Sequence, residues 1–309
     1  MAGALLFYSE FDAPTEWVET FRTLSPVLDV RVWPQVGDPA EIAYVLAWKP
    51  PVGFFAPFAN LKLVINLGAG IDSLAGRTDL PDVPVMRLSD PDMVAQMSTY
   101  VAAAVLRYAR DFDRFEADTR HKRWVYAHPR RLSEITVGMM GLGELGLPSA
   151  ETLARLGLSV RGWSRSPKSL DFPTMHGLDT LRPFYEGLDI LVCLLPLTPD
   201  TDGLIDAATF AALPAGAAFI NASRGKVVDE GALAAALASG HLRGATVDAF
   251  AEEPLPGDSP LRAAPNLLVT PHIASFAGPR GAAPEIIENL RRVEAGEPLL
   301  HLASLARGY

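Results

Sequence analysis

The sequence contains one cysteine, Cys193, in 309 residues, and no stretch of 18 uncharged apolar residues. A single cysteine cannot form a disulfide within the chain, which suits a reducing cytoplasm. Without a long apolar stretch we expect no membrane partner, and the first residues show no basic leader, so we predict a cytoplasmic protein. The few histidines show no metal-ligand spacing with Cys or acidic residues, so we assign no metal.

Positive charge is scarce as well. The formal net charge is −9, from 27 basic and 36 acidic residues. Such a surface repels phosphate backbones and anionic lipid. RHKRWVYAHPRR (residues 120–131) is a basic stretch with two aromatic residues, so a nucleic-acid patch has to be weighed there. The acidic balance elsewhere favours a surface arm at a dimer contact, and we predict no nucleic-acid partner.

Short apolar runs alternate with helical stretches along the chain, in an ordinary globular composition with 49% apolar and 20% charged residues. The runs are ALLFYS, DVRVWP, AYVLAW, LVINLG and VPVMRL, then ITVGMMG, LSVRGW, DILVCLLP, AAFINAS, GATVDAF and NLLVTP. Unbroken apolar strands separated by helices indicate parallel sheets that are buried on both faces. We therefore predict an α/β fold of two doubly wound, Rossmann-like domains.

The chain length and two long helical stretches predict the domain boundaries. A chain of 309 residues is too long for one ordinary core and fits two domains. One candidate helix runs from about Pro91 to Ala117 and another from Ala283 to Ala295, so the chain leaves one domain, completes the other and returns. We predict a discontinuous substrate-binding domain (1–98 plus 280–309), a dinucleotide-binding domain (99–279) and a ligand cleft between them.

A glycine-rich turn lies between a predicted strand and a predicted helix in ITVGMMGLGELGLPSAETLARLG. In the dinucleotide fingerprint, the first glycine permits a tight turn, the second lets the backbone approach a pyrophosphate, and the third lets the helix pack on the strand. Gly141, Gly143 and Gly146 have this spacing, and a second strand, LSVRGW, follows at the proper distance. We predict a dinucleotide at this turn, with Glu144 and Leu145 among its contacts.

The second strand of this unit lacks the acid that usually accepts from the ribose hydroxyls of NAD. No acidic residue occurs between Arg155 and Leu170, and the segment RGWSRSPK (161–168) holds two arginines and a lysine. A guanidinium and hydroxyls can donate to a 2′-phosphate, which a carboxylate would repel. We therefore predict NADP(H) as the preferred cofactor, with NAD(H) possible; the alternative is a solvated basic loop. The candidates for this phosphate are Ser164, Arg165, Ser166 and Lys168.

Three polar residues follow predicted strands in the second half of the chain: Arg224 in NASRGK, Glu253 in DAFAEEPLP and His272 in TPHIAS. The carboxyl ends of parallel strands meet at one edge of a sheet, so these residues could converge. Each also has an ordinary structural explanation. Together they supply a cation for a carboxylate, a proton donor for a carbonyl oxygen and an acid that keeps the donor protonated, which is what 2-oxo acid reduction requires.

The same segments resemble those of the D-isomer-specific 2-hydroxyacid dehydrogenases, and most closely the glyoxylate/hydroxypyruvate reductase A subgroup. The resemblance covers nearly the whole chain: LGAGID, GLGELG, WSRSPKS, LLPLTPDT, NASRGKVVDE, DAFAEEPLP, TPHIA and the closing ARGY. It implies that Arg224 binds the substrate, that His272 is the acid/base and that Glu253, rather than Glu252, orients it. It also implies NADPH preference, a homodimer, and four further residues along the cofactor. These are Leu195, Pro196, Ala222 and Asp248.

We expect the first half of the chain to supply further substrate contacts. Gly68, Ala69 and Gly70 in NLGAGID follow a strand, and their amides could hold a carboxylate, although an ordinary turn is equally compatible. Trp48 resembles an aromatic residue that lines the substrate pocket in this subgroup; the alternative is a core tryptophan. Thr99 departs from the family, which usually carries an acid at the start of the interdomain helix.

The sequence as a whole therefore predicts an enzyme that reduces a small 2-oxo acid, of the glyoxylate or hydroxypyruvate type, by hydride transfer from NADPH. The alternative is a cofactor-sensing binding protein with little turnover, like the corepressors that share this fold. A formate dehydrogenase is less favoured because that relative has glutamine where Glu253 stands. The preferred 2-oxo acid stays open.

Overall fold

The computed structural model describes residues 3–308. The chain divides into two compact units, a terminal unit (residues up to Met93 together with those from Phe276 on) and a central unit (Val94–Ser275). The last residue of the closing ARGY motif, Tyr309, lies outside the described residues. Which unit binds substrate and which binds cofactor stays a prediction.

The terminal unit contains a parallel five-stranded sheet with the order β2-β1-β3-β4-β5. Its strands are β1 (Ala4–Tyr8), β2 (Val30–Val32), β3 (Ile42–Ala47), β4 (Leu63–Asn66) and β5 (Val85–Arg87). β1, β3 and β4 are buried at every position. This is expected of inner strands that are covered on both faces, and it explains why their sequences are continuous apolar runs.

The central unit contains a parallel seven-stranded sheet with the order β12-β11-β10-β9-β6-β7-β8. Its strands are β6 (Thr136–Met140), β7 (Ser159–Ser164), β8 (Thr174–His176), β9 (Ile190–Cys193), β10 (Ala217–Asn221), β11 (Leu242–Val247) and β12 (Leu267–Val269). Two clusters of buried side chains, one including Phe219 and the other Ile220, cover the two faces. The predicted α/β class, with two doubly wound parallel-sheet domains, is confirmed.

Eight α-helices occur among residues 3–308. They are α1 (Pro14–Leu24), α2 (Pro91–Ala109), α3 (Phe112–Arg120), α4 (Gly146–Arg155), α5 (Leu181–Tyr185), α6 (Ala207–Ala212), α7 (Glu230–Ala238) and α8 (Pro279–Ala295). Local sequence fixes several of their ends. Asp229 caps α7 by accepting from the Ala232 amide at 2.9 Å, and Gly296, with φ of 66°, ends α8. α8 begins at Pro279, earlier than predicted, because proline is well suited to the first helical position.

The predicted single helix from Pro91 to Ala117 is wrong. The structure has two helices, α2 and α3, and Asp111 between them has a left-handed φ of 56°. Arg243, from the start of β11, donates to the carboxylates of Asp111 (2.8 Å) and Asp113 (2.5 Å). A cation more than a hundred residues away stabilises the break, which a local helical pattern could not reveal.

The sequence pattern also missed one strand, β8. Its sequence, TMH, has no apolar run, and it pairs only with β7, at the edge of the sheet. Among residues 3–308, no helix has both the length and the apolar character needed to cross a bilayer.

Candidate active site

The glycine-rich turn connects β6 to α4 in the central unit. Gly141 has a φ of 95°, and a Cβ there would lie 2.6 Å from the Leu194 carbonyl oxygen. A Cβ on Gly146 would lie 1.9 Å from the Gly141 oxygen, whereas one on Gly143 would meet nothing within 4 Å. Two of the glycines are therefore required by packing. Gly143 is exposed and faces open space, as a backbone that approaches a pyrophosphate must.

This turn lies where the strand order reverses. β7 and β8 lie on one side of β6, and β9 to β12 lie on the other, and ligands of open α/β sheets bind at such switch points. Gly141 packs against the Leu194–Leu195 backbone after β9. The Ala222 amide, after β10, donates to the Cys193 carbonyl at 3.2 Å. The structure thus brings the predicted cofactor residues Leu195 and Ala222 to the same edge as the glycine turn; Pro196 follows Leu195 and is partly exposed.

The segment after β7 is an exposed loop with a fixed base. Arg165, Ser166 and Lys168 are exposed, and Ser164 is 7% exposed, with its hydroxyl donating to the Ser166 carbonyl at 2.8 Å. Thr174, at the start of β8, donates its hydroxyl to the Lys168 carbonyl at 2.7 Å. The strand missed by the sequence pattern therefore anchors the loop that carries the predicted phosphate-binding residues.

Arg161, the other arginine of RGWSRSPK, does not join that loop. It lies within β7, and its guanidinium donates to the carbonyls of Phe184 (3.0 Å) and Glu186 (2.8 Å) at the end of α5. It stabilises a helix end, so the number of cations available to an anion at this loop is smaller than the sequence suggested.

Glu253 and His272 are in direct contact. The Nδ1 atom of His272 lies 2.8 Å from Oε1 and 2.9 Å from Oε2 of Glu253. A carboxylate accepts, so Nδ1 carries the hydrogen, and Nε2 is the ring nitrogen that can exchange a proton with a substrate oxygen. The Phe250 amide donates to Glu253 Oε1 at 3.1 Å and fixes the carboxylate. Glu252, by contrast, makes no hydrogen bond to His272 among residues 3–308.

The His272 backbone is held in an uncommon conformation. Its φ is 57°, and its amide donates to the Asp248 carbonyl at 2.9 Å. The Asp248 carboxylate accepts from the Ile273 and Ala274 amides, each at 2.9 Å, and from the Thr270 hydroxyl at 2.6 Å. Asp248, predicted to lie along the cofactor, thus organises the turn that carries the imidazole, and strain of this kind is typical of functional sites.

Tyr100 extends this network from α2. Its hydroxyl lies 2.6 Å from Thr270 Oγ1, and because Thr270 donates to Asp248, Tyr100 is the donor to Thr270. Burial raises the pKa of Tyr100 to about 12, so the phenol keeps its proton at neutral pH. Sequence reasoning missed Tyr100, since a tyrosine within an apolar helix carries no signal that it bonds to a threonine 170 positions later.

Arg224 follows β10 in a turn that Asn221 organises. Asn221 Oδ1 accepts from the Ser223 amide at 3.1 Å and from the Ser223 hydroxyl at 2.7 Å. Arg224 is partly buried and donates to the Ser223 carbonyl at 2.9 Å. A Cβ on the next residue, Gly225, would lie 1.8 Å from the Phe250 carbonyl carbon. The arginine turn is therefore packed directly on the segment whose amide holds Glu253.

The terminal unit brings together the predicted substrate residues Trp48 and Gly68. A Cβ on Gly68 would lie 2.6 Å from Cζ3 of Trp48, so the indole packs on the glycine backbone. The Gly68 amide donates to the Asn66 carbonyl at 2.8 Å. The amides of Ala69 and Gly70 donate to no acceptor within residues 3–308. Of the three residues predicted to hold a carboxylate, these two keep amides that could do so.

Thr99, the departure from the family pattern, donates its hydroxyl within its own helix, to the carbonyls of Ala95 and Gln96 at 2.9 Å. No group of three or more His, Cys, Asp or Glu side chains in the described part of the chain has the arrangement of a metal site.

Comparison with known proteins identifies the family. The family model described as D-isomer specific 2-hydroxyacid dehydrogenase, NAD binding domain, matches residues 102–274. The chain belongs to the D-isomer specific 2-hydroxyacid dehydrogenases. It is 37% identical to glyoxylate/hydroxypyruvate reductase A of Yersinia enterocolitica and 40% identical to that of Klebsiella pneumoniae strain 342, with 99% of each chain covered.

Solved structures of other D-isomer specific 2-hydroxyacid dehydrogenases are similar over the full length. One from Xanthobacter autotrophicus Py2, in complex with NADPH and MES, is 55% identical with a TM-score of 0.96, and all of both chains is covered. The NADPH-dependent glyoxylate/hydroxypyruvate reductase of Sinorhizobium meliloti, in complex with NADP and sulfate, is 34% identical with a TM-score of 0.93, and covers 99% of this chain. The predicted resemblance is confirmed, and this dehydrogenase is an oxidoreductase.

Proposed function

We propose that this dehydrogenase reduces a small 2-oxo acid, of the glyoxylate or hydroxypyruvate type, to the 2-hydroxy acid with NADPH. The observation that carries the proposal is the Glu253–His272 pair at 2.8 Å, beside a turn that presents Arg224. The names of the relatives, glyoxylate/hydroxypyruvate reductase A, support the substrate class. In this proposal the terminal unit contacts the substrate and the central unit binds the cofactor.

The residues of the glycine turn and of the loop after β7 fit NADPH. Gly143 leaves room beside the backbone for a diphosphate, with Glu144 and Leu145 next to it and the start of α4 supplying positive potential. Arg165, Ser166 and Lys168 are exposed, and no acidic residue occurs between Arg155 and Leu170, which suits a 2′-phosphate. When bound, NADPH supplies the hydride.

The polar residues would then handle the carboxylate and the proton. Arg224 binds the substrate carboxylate and holds the carbonyl carbon in place. His272 passes a proton from Nε2 to the carbonyl oxygen as the oxygen gains charge, and Glu253 stabilises the imidazolium and keeps Nδ1 turned toward itself.

The direct test is oxidation of NADPH with glyoxylate, hydroxypyruvate, pyruvate and an aryl-pyruvate, each repeated with NADH. We expect turnover with the small acids. Tight NADPH binding without turnover of any acid would contradict the proposal and favour a cofactor-sensing protein instead.

Arg165→Ala tests the choice of cofactor. We expect KM for NADPH to rise roughly ten- to a hundredfold, because a charge-assisted hydrogen bond to the 2′-phosphate is lost. KM for NADH should not change. Arg155→Ala is the matched control, since Arg155 is an exposed arginine of α4, with 75% of its side chain exposed. Equal use of the two cofactors by the unmodified enzyme would overturn the assignment.

We also propose that the enzyme is a homodimer through the arm formed by residues 121–131. This arm has neither helix nor strand, and it presents Trp124 (97% exposed), Tyr126 (77%) and Val125 (53%). Adjacent exposed apolar side chains of this size mark an interaction surface. Sedimentation equilibrium should give twice the chain mass, and Trp124→Asp should shift the protein toward monomer. A monomeric unmodified enzyme at micromolar concentration would contradict the assignment.

A further inference from the structure

Two loops of the terminal unit carry the predicted substrate contacts. The proline loop (residues 48–55) follows β3 and begins with Trp48, and the glycine loop (residues 68–79) follows β4 and begins with Gly68. We infer that Arg77 and Asp79 are positioning residues that lock these loops together and thereby set the room available to the substrate's side chain. This inference rests on the proposed function.

The two residues connect the loops at four points. Arg77 Nη1 donates to the Pro50 carbonyl at 2.6 Å, and Arg77 Nη2 donates to the Pro51 carbonyl at 2.7 Å. The Gly53 amide donates to Asp79 Oδ2 at 2.7 Å. The Arg77 guanidinium also lies 5.1 Å from the centroid of the Phe55 ring. Each contact joins the far end of the glycine loop to the proline loop.

Arg77 and Asp79 are themselves joined as a two-point ion pair, Nε to Oδ1 at 2.8 Å and Nη2 to Oδ2 at 2.6 Å. Their side chains are only 11% and 18% exposed, so water screens the pair less than it screens an open surface pair. The Arg77 hydrogen bond lowers the pKa of Asp79. The carboxylate therefore stays charged throughout the neutral range.

The proline loop needs such an external attachment because of its own sequence. Pro50 and Pro51 have no amide hydrogen, so neither can donate a backbone hydrogen bond to a strand. Lys49 and Gly53 have left-handed φ values of 46° and 85°. A planar guanidinium that bonds two successive carbonyls fixes a backbone that secondary structure does not fix.

The near ends of the loops meet at the predicted substrate contact. Trp48 packs on Gly68, directly before Ala69 and Gly70. Phe54 and Phe55 are 4% and 2% exposed and anchor the proline loop in the core. With both ends attached, Trp48 and the amides of Ala69 and Gly70 are held at a fixed separation. The Arg77–Asp79 pair therefore affects how the 2-oxo acid substrate fits. The groups assigned to proton transfer, by contrast, all lie in the central unit.

Arg77→Lys tests this inference with the full chain and NADPH. Lysine keeps the charge but has one ammonium, so it cannot bond both carbonyls and both oxygens of Asp79. We expect KM for hydroxypyruvate to rise roughly tenfold, because small displacements of positioning groups are costly. Glyoxylate has no side chain to place, so its KM should rise less, and the hydroxypyruvate-to-glyoxylate ratio of kcat/KM should fall about fivefold. KM for NADPH should not change.

Asp79→Asn is the second variant, and it decides the case if Arg77→Lys does not fold. Arg31→Lys is the matched control, because Arg31 in β2 also bonds two carboxylates and a carbonyl, those of Asp29, Glu41 and Val36. It should lower stability without changing the substrate ratio. An unchanged substrate ratio in both Arg77→Lys and Asp79→Asn, or the same shift in Arg31→Lys, would overturn the inference alone. Failure of the unmodified enzyme to reduce any 2-oxo acid would overturn the proposed function with it.

Discussion

Replacing His272 with glutamine is expected to lower kcat for 2-oxo acid reduction roughly 10²- to 10⁴-fold, the usual contribution of a positioned proton donor. Glutamine is of similar length and can still donate to Glu253, but it cannot transfer a proton. KM for NADPH should stay within about twofold of the unmodified value, because the role proposed for the imidazole is proton transfer and not cofactor binding. Stopped-flow and steady-state measurements of NADPH oxidation separate the two effects.

Glu253 and Glu252 provide a matched pair for the same experiment. Both are carboxylates of one loop, but only Glu253 contacts His272, at 2.8 and 2.9 Å. Glu253→Gln should lower kcat roughly ten- to a hundredfold, since the imidazolium loses a charged partner that stabilises it. Glu252→Gln should leave kcat unchanged. Equal effects of the two changes, or full activity of His272→Gln, would contradict the assigned roles.

The contact between Glu253 and His272 could be anticipated from sequence because it depends on topology. Both residues follow neighbouring parallel strands, β11 and β12, whose carboxyl ends share one edge. Apolar runs also predicted eleven of the strands. For the inner strands the reason is that a strand buried on both faces has to be apolar along its length. The glycine turn was recognisable for a similar reason: a Cβ on Gly141 or Gly146 has no space.

Features that depend on distant partners could not be predicted in this way. The break after α2, at Asp111, is stabilised by Arg243. The conformation of the turn that carries His272 is held by hydrogen bonds to Asp248 and by Tyr100. Arg161 looked like part of an anion site because it is close in sequence to Arg165, yet alternation along β7 sends its side chain to α5. Local patterns report which residues are present, whereas these contacts depend on which segments the fold brings side by side.

Gly225 is a further residue whose importance only the structure reveals. Of the substitutions described above and below, Gly225→Ala should lower the free energy of unfolding most. A Cβ there would lie 1.8 Å from the Phe250 carbonyl carbon and 2.0 Å from the Ala251 nitrogen. Both are backbone atoms, so neither can move aside as a flexible side chain would. Gly225→Ala must therefore separate the arginine turn from the segment that holds Glu253. We expect the free energy of unfolding to fall by about 3 kcal/mol, the upper end of the usual cost of overpacking.

Activity should fall together with stability in Gly225→Ala, because Arg224 precedes this glycine and the Phe250 amide fixes Glu253 at 3.1 Å. A shift of about 1 Å between these segments is enough to lower kcat/KM by roughly a hundredfold. Urea denaturation and assays well below the melting temperature distinguish a misplaced site from an unfolded one. Gly257→Ala, four positions beyond Glu253, is the matched control, since a Cβ there meets nothing within 4 Å. If Gly225→Ala matched this control in both stability and kcat/KM, the arginine turn and the Glu253 segment would not be coupled through their backbone contact.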